Sequence, residues 1–276
     1  GFDAAAFKAG LDRDFYDVEV WNLSVRYMRP ALFSNRKPFR YKAVLHEYIE
    51  APAGATRGRA DGIHILVGHD GARSQNPNKF ADDAVLLERE LETETDPFLI
   101  SRYTFYLAQS LRDSGQSERA QAAYLKRAEQ GNWVEEVYLS VLNAAKLSET
   151  LDRPVDEQLA TYLRAYEVLP TRAEALNGAA AVCRKAGRYQ LGYLLALQGI
   201  AIPRPDSGLF IDQSVYDYRM LDEFQVNAYW AGHYGESLDA GATLLRDGLF
   251  PESERARILA NCDFALQKVT EHRPQE

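Results

Sequence analysis

The sequence predicts a mainly α-helical chain: paired helices with short links from residue 76 onward, preceded by a small strand-containing segment over residues 1–75. Three observations carry this. Apolar residues alternate with a period near two before about residue 78 and follow a helical period after it. Gly and Pro interrupt the helical part at Gly115, Gly131, Pro154, Pro170, Gly187, Pro203, Gly232 and Pro251. Small residues recur along those helices at similar separations, which is how stacked repeats announce themselves.

The two parts also differ in charge. The 276 residues carry a net charge of −8. Residues 1–75 hold 11 Lys and Arg against 9 Asp and Glu, and the remainder holds 21 against 31. An acidic chain of pI about 5.3 argues against nucleic acid as a main partner. With only Cys183 and Cys262, neither a disulfide framework nor a Cys-type zinc site is available, so a reducing, cytoplasmic location is expected. No apolar run approaches the roughly 18 residues that span a bilayer.

Within the first part, residues 4–11 read as a short helix. Residues 16–27, YDVEVWNLSVRY, alternate, but the phase flips between Val20 and Trp21, which reads as a bulge or a strand covered on both faces. RPALFSN and FRYKAVLHEYIE read as a following pair of strands, with turn residues Asn35 to Pro38 between them. On a strand, His46 shares a face with Val44 and Tyr48, and Glu47 points the other way with Leu45 and Ile49. Residues 51–62 read as a loop, and IHILVG, 63–68, as a short strand. His64 and His69 read as structural. Arg29, Arg36, Lys37, Arg40 and Lys42 cluster without an acidic residue, a composition that suits a diphosphate or an anionic acceptor. The alternative is a solvated hairpin. Arg73 follows a turn at Asp70-Gly71, near enough to join such a site.

The helical part divides into segments near 79–94, 98–114, 117–130, 134–151, 155–168, 172–186, 189–201, 213–231, 235–247 and 252–270. Ala108, Ala120 and Tyr124, then Tyr162, Ala165 and Pro170, then Ala180, Gly187, Tyr189, Gly192, Ala196 and Gly199 fall at related offsets. Gly232, Tyr234 and Ser237 repeat part of the pattern. These positions resemble the tetratricopeptide repeat. Arg127 stands where a small residue is expected and Gly241 where an aromatic is expected. The turn positions Gly115, Arg153, Gly187 and Gly232 are unevenly spaced. Glu135 and Glu136 read as a solvated helix start.

A wider resemblance joins the two parts. RPALFSNRKPFRYKAVLHEYIE followed by RYTFYLAQSLRDSGQSERAQAAYLKRAEQGNWVEEVY is similar to bacterial family-2 glycosyltransferases with a tetratricopeptide-like tail. His46-Glu47-Tyr48 and the run Arg102–Gln109 are its most specific parts. The resemblance implies that residues 1–75 are the acceptor-side remnant of an A-fold transferase domain and that residues 76–276 are the tail. It implies a nucleotide-sugar donor, an unknown acceptor, and Mn or Mg in the complete enzyme. It makes His46 the candidate metal ligand, with His46 and Glu47 as catalytic candidates. Arg29, Arg36, Arg40, Arg73, Arg102, Tyr103 and Tyr106 become candidates for donor or acceptor binding. The alternative for His46 is a hydrogen-bonded core histidine, and for the aromatics of Arg102–Gln109 it is core packing. Family members need a nucleotide-binding half ahead of this point and a metal-binding Asp-X-Asp. Here only Asp12-Arg13-Asp14 has that spacing, in a helix-to-strand link. The resemblance therefore implies a chain that starts just after the metal motif, inactive alone and needing no metal of its own. The competing function is a non-catalytic scaffold that holds a peptide or protein in the helical groove.

Overall fold

The structure, a computed structural model, describes residues 2–22, 25–68, 71 and 75–271, without the side chains of residues 22 and 25–27. The chain forms two compact units, Gly1–Glu94 and Thr95–Glu276.

The first unit opens with a short helix, α1 (Ala4–Ala9), whose first turn is capped by Asp3: its Oδ1 accepts from the Ala5 and Ala6 amides at 3.0 Å. Strand β1 (Phe15–Asn22) is the centre of a three-stranded sheet. It pairs antiparallel with β2 (Val25–Phe33) and parallel with β5 (Arg57–Leu66). A separate hairpin joins β3 (Arg40–Lys42) to β4 (Tyr48–Glu50). Helix α2 (Lys79–Leu91) closes the unit. Tyr16, Val18 and Ala60 form its buried core, with Phe7, Leu11, Leu32 and Ile63 packed around them.

Three strand expectations are corrected. The alternating run 16–27 is not one bulged strand, because Asn22 pairs with Val25 and the chain doubles back. Val20 lies opposite Tyr27 and Val18 opposite Arg29. A two-residue link thus sets even positions of β1 across from odd positions of β2, which is the phase flip seen in the sequence. The register irregularities lie earlier, between Tyr16 and Asp17 and between Asp17 and Glu19. Second, residues 57–62 are strand, not loop. Their Gly and Ala content reflects contact: a side chain at Gly58 would overlap the Tyr16 ring, and Ala60 is buried in the core. Third, residues 43–47 are the loop of the β3–β4 hairpin. Ala43 and His46 both take positive φ, 79° and 51°, which no strand allows.

The second unit is built from helices α3 (Pro97–Asp113), α4 (Ser117–Glu129), α5 (Val134–Thr150), α6 (Val155–Val168), α7 (Glu174–Lys185), α8 (Tyr189–Ile200), α9 (Met220–Trp230), α10 (Tyr234–Asp247) and α11 (Arg255–Glu271). A π-helical turn, Val215–Arg219, leads into α9. The boundaries fall close to those predicted, because they are set locally. Asp96 caps α3 through the Phe98 amide, with Pro97 in the first turn. The turn inside each hairpin recurs four times. Gln116, Arg153, Arg188 and His233 each donate their amide to the carbonyl five residues back, at 2.8–2.9 Å. The residue before each is in the left-handed region: Gly115, Asp152, Gly187 and Gly232.

Each helix packs on the next in sequence, and α5 touches α7, α7 touches α9, and α9 touches α11. Odd-numbered helices therefore form one layer and even-numbered helices the other, an arrangement of stacked helical hairpins. The chain is mainly α with a small strand-containing first unit, as the sequence predicts. Ala108, Ala120, Tyr124, Tyr162, Ala165, Ala180, Gly192 and Ala196 are all buried. A methyl group at Gly192 would overlap the Asn227 side-chain oxygen, and one at Gly178 would overlap the Tyr162 ring.

The exceptions to the small-residue pattern have structural causes. Gly241 is small because Gln225 and Cys262 press against it. Arg127 is buried and pairs with Glu136 at 2.8 Å, while its Nη1 donates to the Gly131 carbonyl at 2.9 Å. The expectation of a solvated start for α5 is thus corrected: Glu136 is buried, and Glu135 is only 19% exposed and bound to Arg172.

Two outcomes are expected. Gly192→Leu should destabilise the protein by about 1–3 kcal/mol through overpacking; an unchanged Tm would count against the close α8–α9 contact. Arg127→Met should cost about 3–5 kcal/mol in urea unfolding by stranding Glu136, and adding Glu136→Leu should recover most of it.

Candidate functional site

The odd-helix layer carries a pocket of about 230 Å³. Its floor is Leu139 and Leu142 of α5, both buried. Gln109 and Arg112 of α3 and Asn143 and Lys146 of α5 form the polar walls. Glu174 at the start of α7 and Phe210 and Asp212 of the α8–α9 link complete it. The α5 members recur at spacings of three and four, one face of a helix.

A buried ion cluster fixes this wall. The Arg172 side chain is 1% exposed. Its Nε donates to both Glu174 oxygens at 3.0 Å, and its Nη1 donates to Glu135 Oε2 at 2.8 Å and to the Leu209 carbonyl at 3.2 Å. The guanidinium stands 4.9 Å from the centre of the Tyr138 ring. The Tyr138 and Tyr216 hydroxyls both donate to Glu174 Oε2. Burial alone would raise the Glu174 pKa; hydrogen bonds and charge from Arg172 outweigh it and hold the carboxyl below its usual range. Burial raises the Tyr216 hydroxyl to about 12.

Lys146 reaches into the pocket. Surrounding protein lowers its pKa through desolvation, opposed by Asp212 and Glu174 and reinforced by Arg219 and Arg112. Among the described residues, no ion pair holds its ammonium. Gln109 and Asn143 likewise have no side-chain hydrogen bond there. Asp212, by contrast, accepts from Ser214 and pairs with Arg219, and Arg112 donates to Asp113.

The residues singled out from the sequence fall in different places. On α3, Arg102 and Tyr106 stack at 5.0 Å and share a helical face with Gln109. Tyr103 is in the core, 2% exposed. In the first unit, Arg36 lines a cleft with Asp12, Arg13, Asp14, Phe33 and Lys37. Arg29 is exposed on β2, and Arg40 is exposed on β3 opposite Glu50. His46 and Glu47 are exposed in the β3–β4 loop, and because that segment is no strand their opposed-face geometry does not hold. His64 stacks on Trp21 at 3.8 Å. Arg73, His69 and Asp70 lie outside the described residues.

The Asp12-Arg13-Asp14 link has a structural task. Asp14 accepts from the Thr56 amide at 2.7 Å, the Thr56 hydroxyl at 2.8 Å and Lys37 Nζ at 2.8 Å. The Lys37 hydrogen bond, followed by those from Thr56, lowers its pKa to about 2. All three bonds converge on Oδ2. Among the described residues no three His, Cys, Asp or Glu side chains converge as a metal shell.

Phe210, Asn143, Lys146 and Arg172 were not singled out from the sequence. Arg127 did stand out, as a charge at a small-residue position. The others gave no local signal, because their pocket joins segments far apart in the chain.

No protein-family model matches the chain, and no curated protein matches it. Among solved structures, it is similar to a tetratricopeptide repeat protein from Parabacteroides merdae, at 15% identity and a TM-score of 0.49 over 70% of this chain and 72% of that one. The repeat architecture therefore rests on the helices and turns described above. No helix among the described residues is long and apolar enough to cross a membrane.

Asp14 gives a pH prediction. Its folded pKa lies below the ordinary value of 3.8, so its stabilisation is present above pH 3.8 and is lost as pH falls toward 2. Asp14→Asn should lower the Tm at pH 7 and make little difference at pH 2, as checked by thermal melts across that range.

Proposed function

We propose that the helical unit is a binding scaffold that holds an extended polypeptide segment on its odd-helix layer. The observation that carries this is the pocket over Leu139 and Leu142, where Gln109, Asn143 and Lys146 offer donors and acceptors that the described protein does not use. A backbone laid along α3 and α5 supplies matching carbonyl and amide groups, and a side chain fills the apolar floor. Stacked hairpins suit such a role because each repeat is held by its neighbours, leaving the layer's surface free to vary.

The test is display of a random 12-residue peptide library against the full chain. Enrichment is expected with the native protein and is expected to vanish with the Asn143→Ala, Lys146→Ala double variant at unchanged Tm. Failure of the native chain to enrich any sequence would remove the scaffold reading.

A second reading is sugar transfer from a nucleotide-sugar donor, with Mn or Mg, when the chain is joined to a nucleotide-binding part. It is supported by the residue resemblance around His46-Glu47-Tyr48 and Arg102–Gln109, and by the cleft in which Arg36 lies beside Arg13 and Lys37. In that reading His46 reaches a metal or acceptor held by the other part. Calorimetry of the 276-residue chain with uridine and guanosine diphosphate sugars plus Mn²⁺ should show no micromolar binding. Tight binding would mean that this chain needs no further part.

A further inference from the structure

We propose that the segment between α8 and α9 supplies the specificity-determining wall of the pocket, and that the pocket takes a peptide segment carrying an aliphatic side chain directly beside a carboxylate. This rests on the scaffold reading above and names its partner.

The repeat is interrupted at one place. Short links connect α4 to α5 and α6 to α7, whereas residues 201–214 separate α8 from the π-helical turn before α9. This longer link is tied down onto α5 and the start of α7. The Leu209 amide donates to Glu135 Oε2 at 3.2 Å, and the Leu209 carbonyl accepts from Arg172. The Asp212 amide donates to Glu174 Oε1 at 3.2 Å, and Asp212 in turn accepts from Ser214. Both acceptor carboxylates are clamped by the same buried guanidinium. Arg172 is thus a positioning residue for the link.

Phe210 sits between these two anchored residues. Its φ is +46°, a region where an aromatic residue is seldom found. It is 66% exposed while lining the pocket. A fold that holds a large apolar ring in an uncommon backbone conformation, facing water, gains nothing in core packing. The gain comes when something covers the ring.

The rest of the pocket identifies that something. At about 230 Å³ it is smaller than the roughly 300–1,000 Å³ that drug-sized ligands and cofactors fill. It has room for one aliphatic side chain between Phe210 and the Leu139–Leu142 floor. Charge is the second criterion. Glu174 is committed to Arg172, Asp212 to Arg219 and Ser214, and Arg112 to Asp113. Among the described residues lining the pocket, Lys146 is the cation without an ion pair, so the complementary group is a carboxylate adjacent to the apolar side chain. The surroundings, net acidic in the sequence after residue 75, disfavour a polyanion.

The experiment uses the full chain and the same random 12-residue peptide library, followed by anisotropy titrations of synthetic peptides from the enriched pool. Enriched sequences should share an aliphatic residue next to Glu or Asp. Phe210→Ala should weaken them roughly tenfold or more at unchanged Tm, and Phe210→Tyr should retain binding. Lys146→Gln should weaken the acidic peptides while leaving their Gln analogues unaffected. Arg172→Lys should weaken binding and also lower the Tm, and at matched folded fraction its loss should not exceed that of Phe210→Ala. Peptides that bind the native chain and the Phe210→Ala variant equally would overturn this proposal and leave the scaffold reading standing. Enrichment without the aliphatic–acidic pair would do the same. Binding of 4-methylpentanoate alone as tightly as the peptides would replace a peptide partner with a small carboxylate. Absence of any enrichment would remove both readings together.

Discussion

Burying a guanidinium is affordable only when its hydrogen bonds are satisfied, and Arg172 is the place where this chain meets that demand. Its partners come from α5, from the first turn of α7 and from the backbone of the α8–α9 link. Two tyrosines from α5 and the π-helical turn close the same carboxylate. One charged group therefore fixes the relative placement of four segments. Removing Arg172 would leave Glu174 buried without its cation, so the cluster tolerates little variation in geometry. The pocket wall inherits that rigidity. A second, simpler version of the device pins α4 to α5 through Arg127 and Glu136.

Elsewhere the helical unit is held by the opposite chemistry, the absence of side chain. Gly192, Gly178, Gly199 and Gly241 each face a neighbouring side chain so closely that a methyl group would collide with it. Close backbone approach increases dispersion contact along the whole helix pair and fixes its register. Some buried polar groups bond locally: the Ser237 hydroxyl donates to the Gln225 carbonyl, and the Asn227 side-chain amide donates to the Glu223 carbonyl. Stacked hairpins of this kind place stability in neighbour contacts and leave the odd-helix surface available for recognition.

The first unit follows a different logic. Its core is small, and polar ties do much of the ordering. Asp14 joins the segment before β1 to the residue before β5 and to Lys37. Asp17 and Arg57 pair across the parallel strands at 2.7 Å. An aromatic group of Phe15, Phe33 and Phe39 packs at 5.3–6.5 Å between ring centres. The basic residues clustered in the sequence take different partners: Lys37 and Lys42 enter ion pairs, Arg36 lines a cleft with Lys37, and Arg29 and Arg40 face solvent.

What the sequence determined by itself was whatever depends on a few consecutive residues. Helix ends were legible because a cap, a left-handed residue and a five-residue hydrogen bond all lie within one turn, as at Gly115 and Gly187. The stacking of hairpins was legible from Ala108, Ala120, Tyr162 and Gly192, because close helix packing demands small or aromatic residues at related offsets within each hairpin, even where the hairpins differ in length. The phase flip at Val20 was visible too, but a bulge and a hairpin link produce the same local pattern, and only pairing of Asn22 with Val25 separates them. Residues 43–47 looked like strand because they continue a short apolar run, whereas backbone sign at Ala43 and His46 is invisible to hydropathy. The tertiary structure alone decided the fate of charge. Arg172 finds Glu135 37 residues away, and Leu209 finds it 74 residues away. Whether an Arg or Glu is solvated or buried depends on which partner the fold delivers to it, and no local pattern encodes that delivery. The pocket follows the same rule, since Lys146 and Phe210 become neighbours only after the α8–α9 link is fastened to α5.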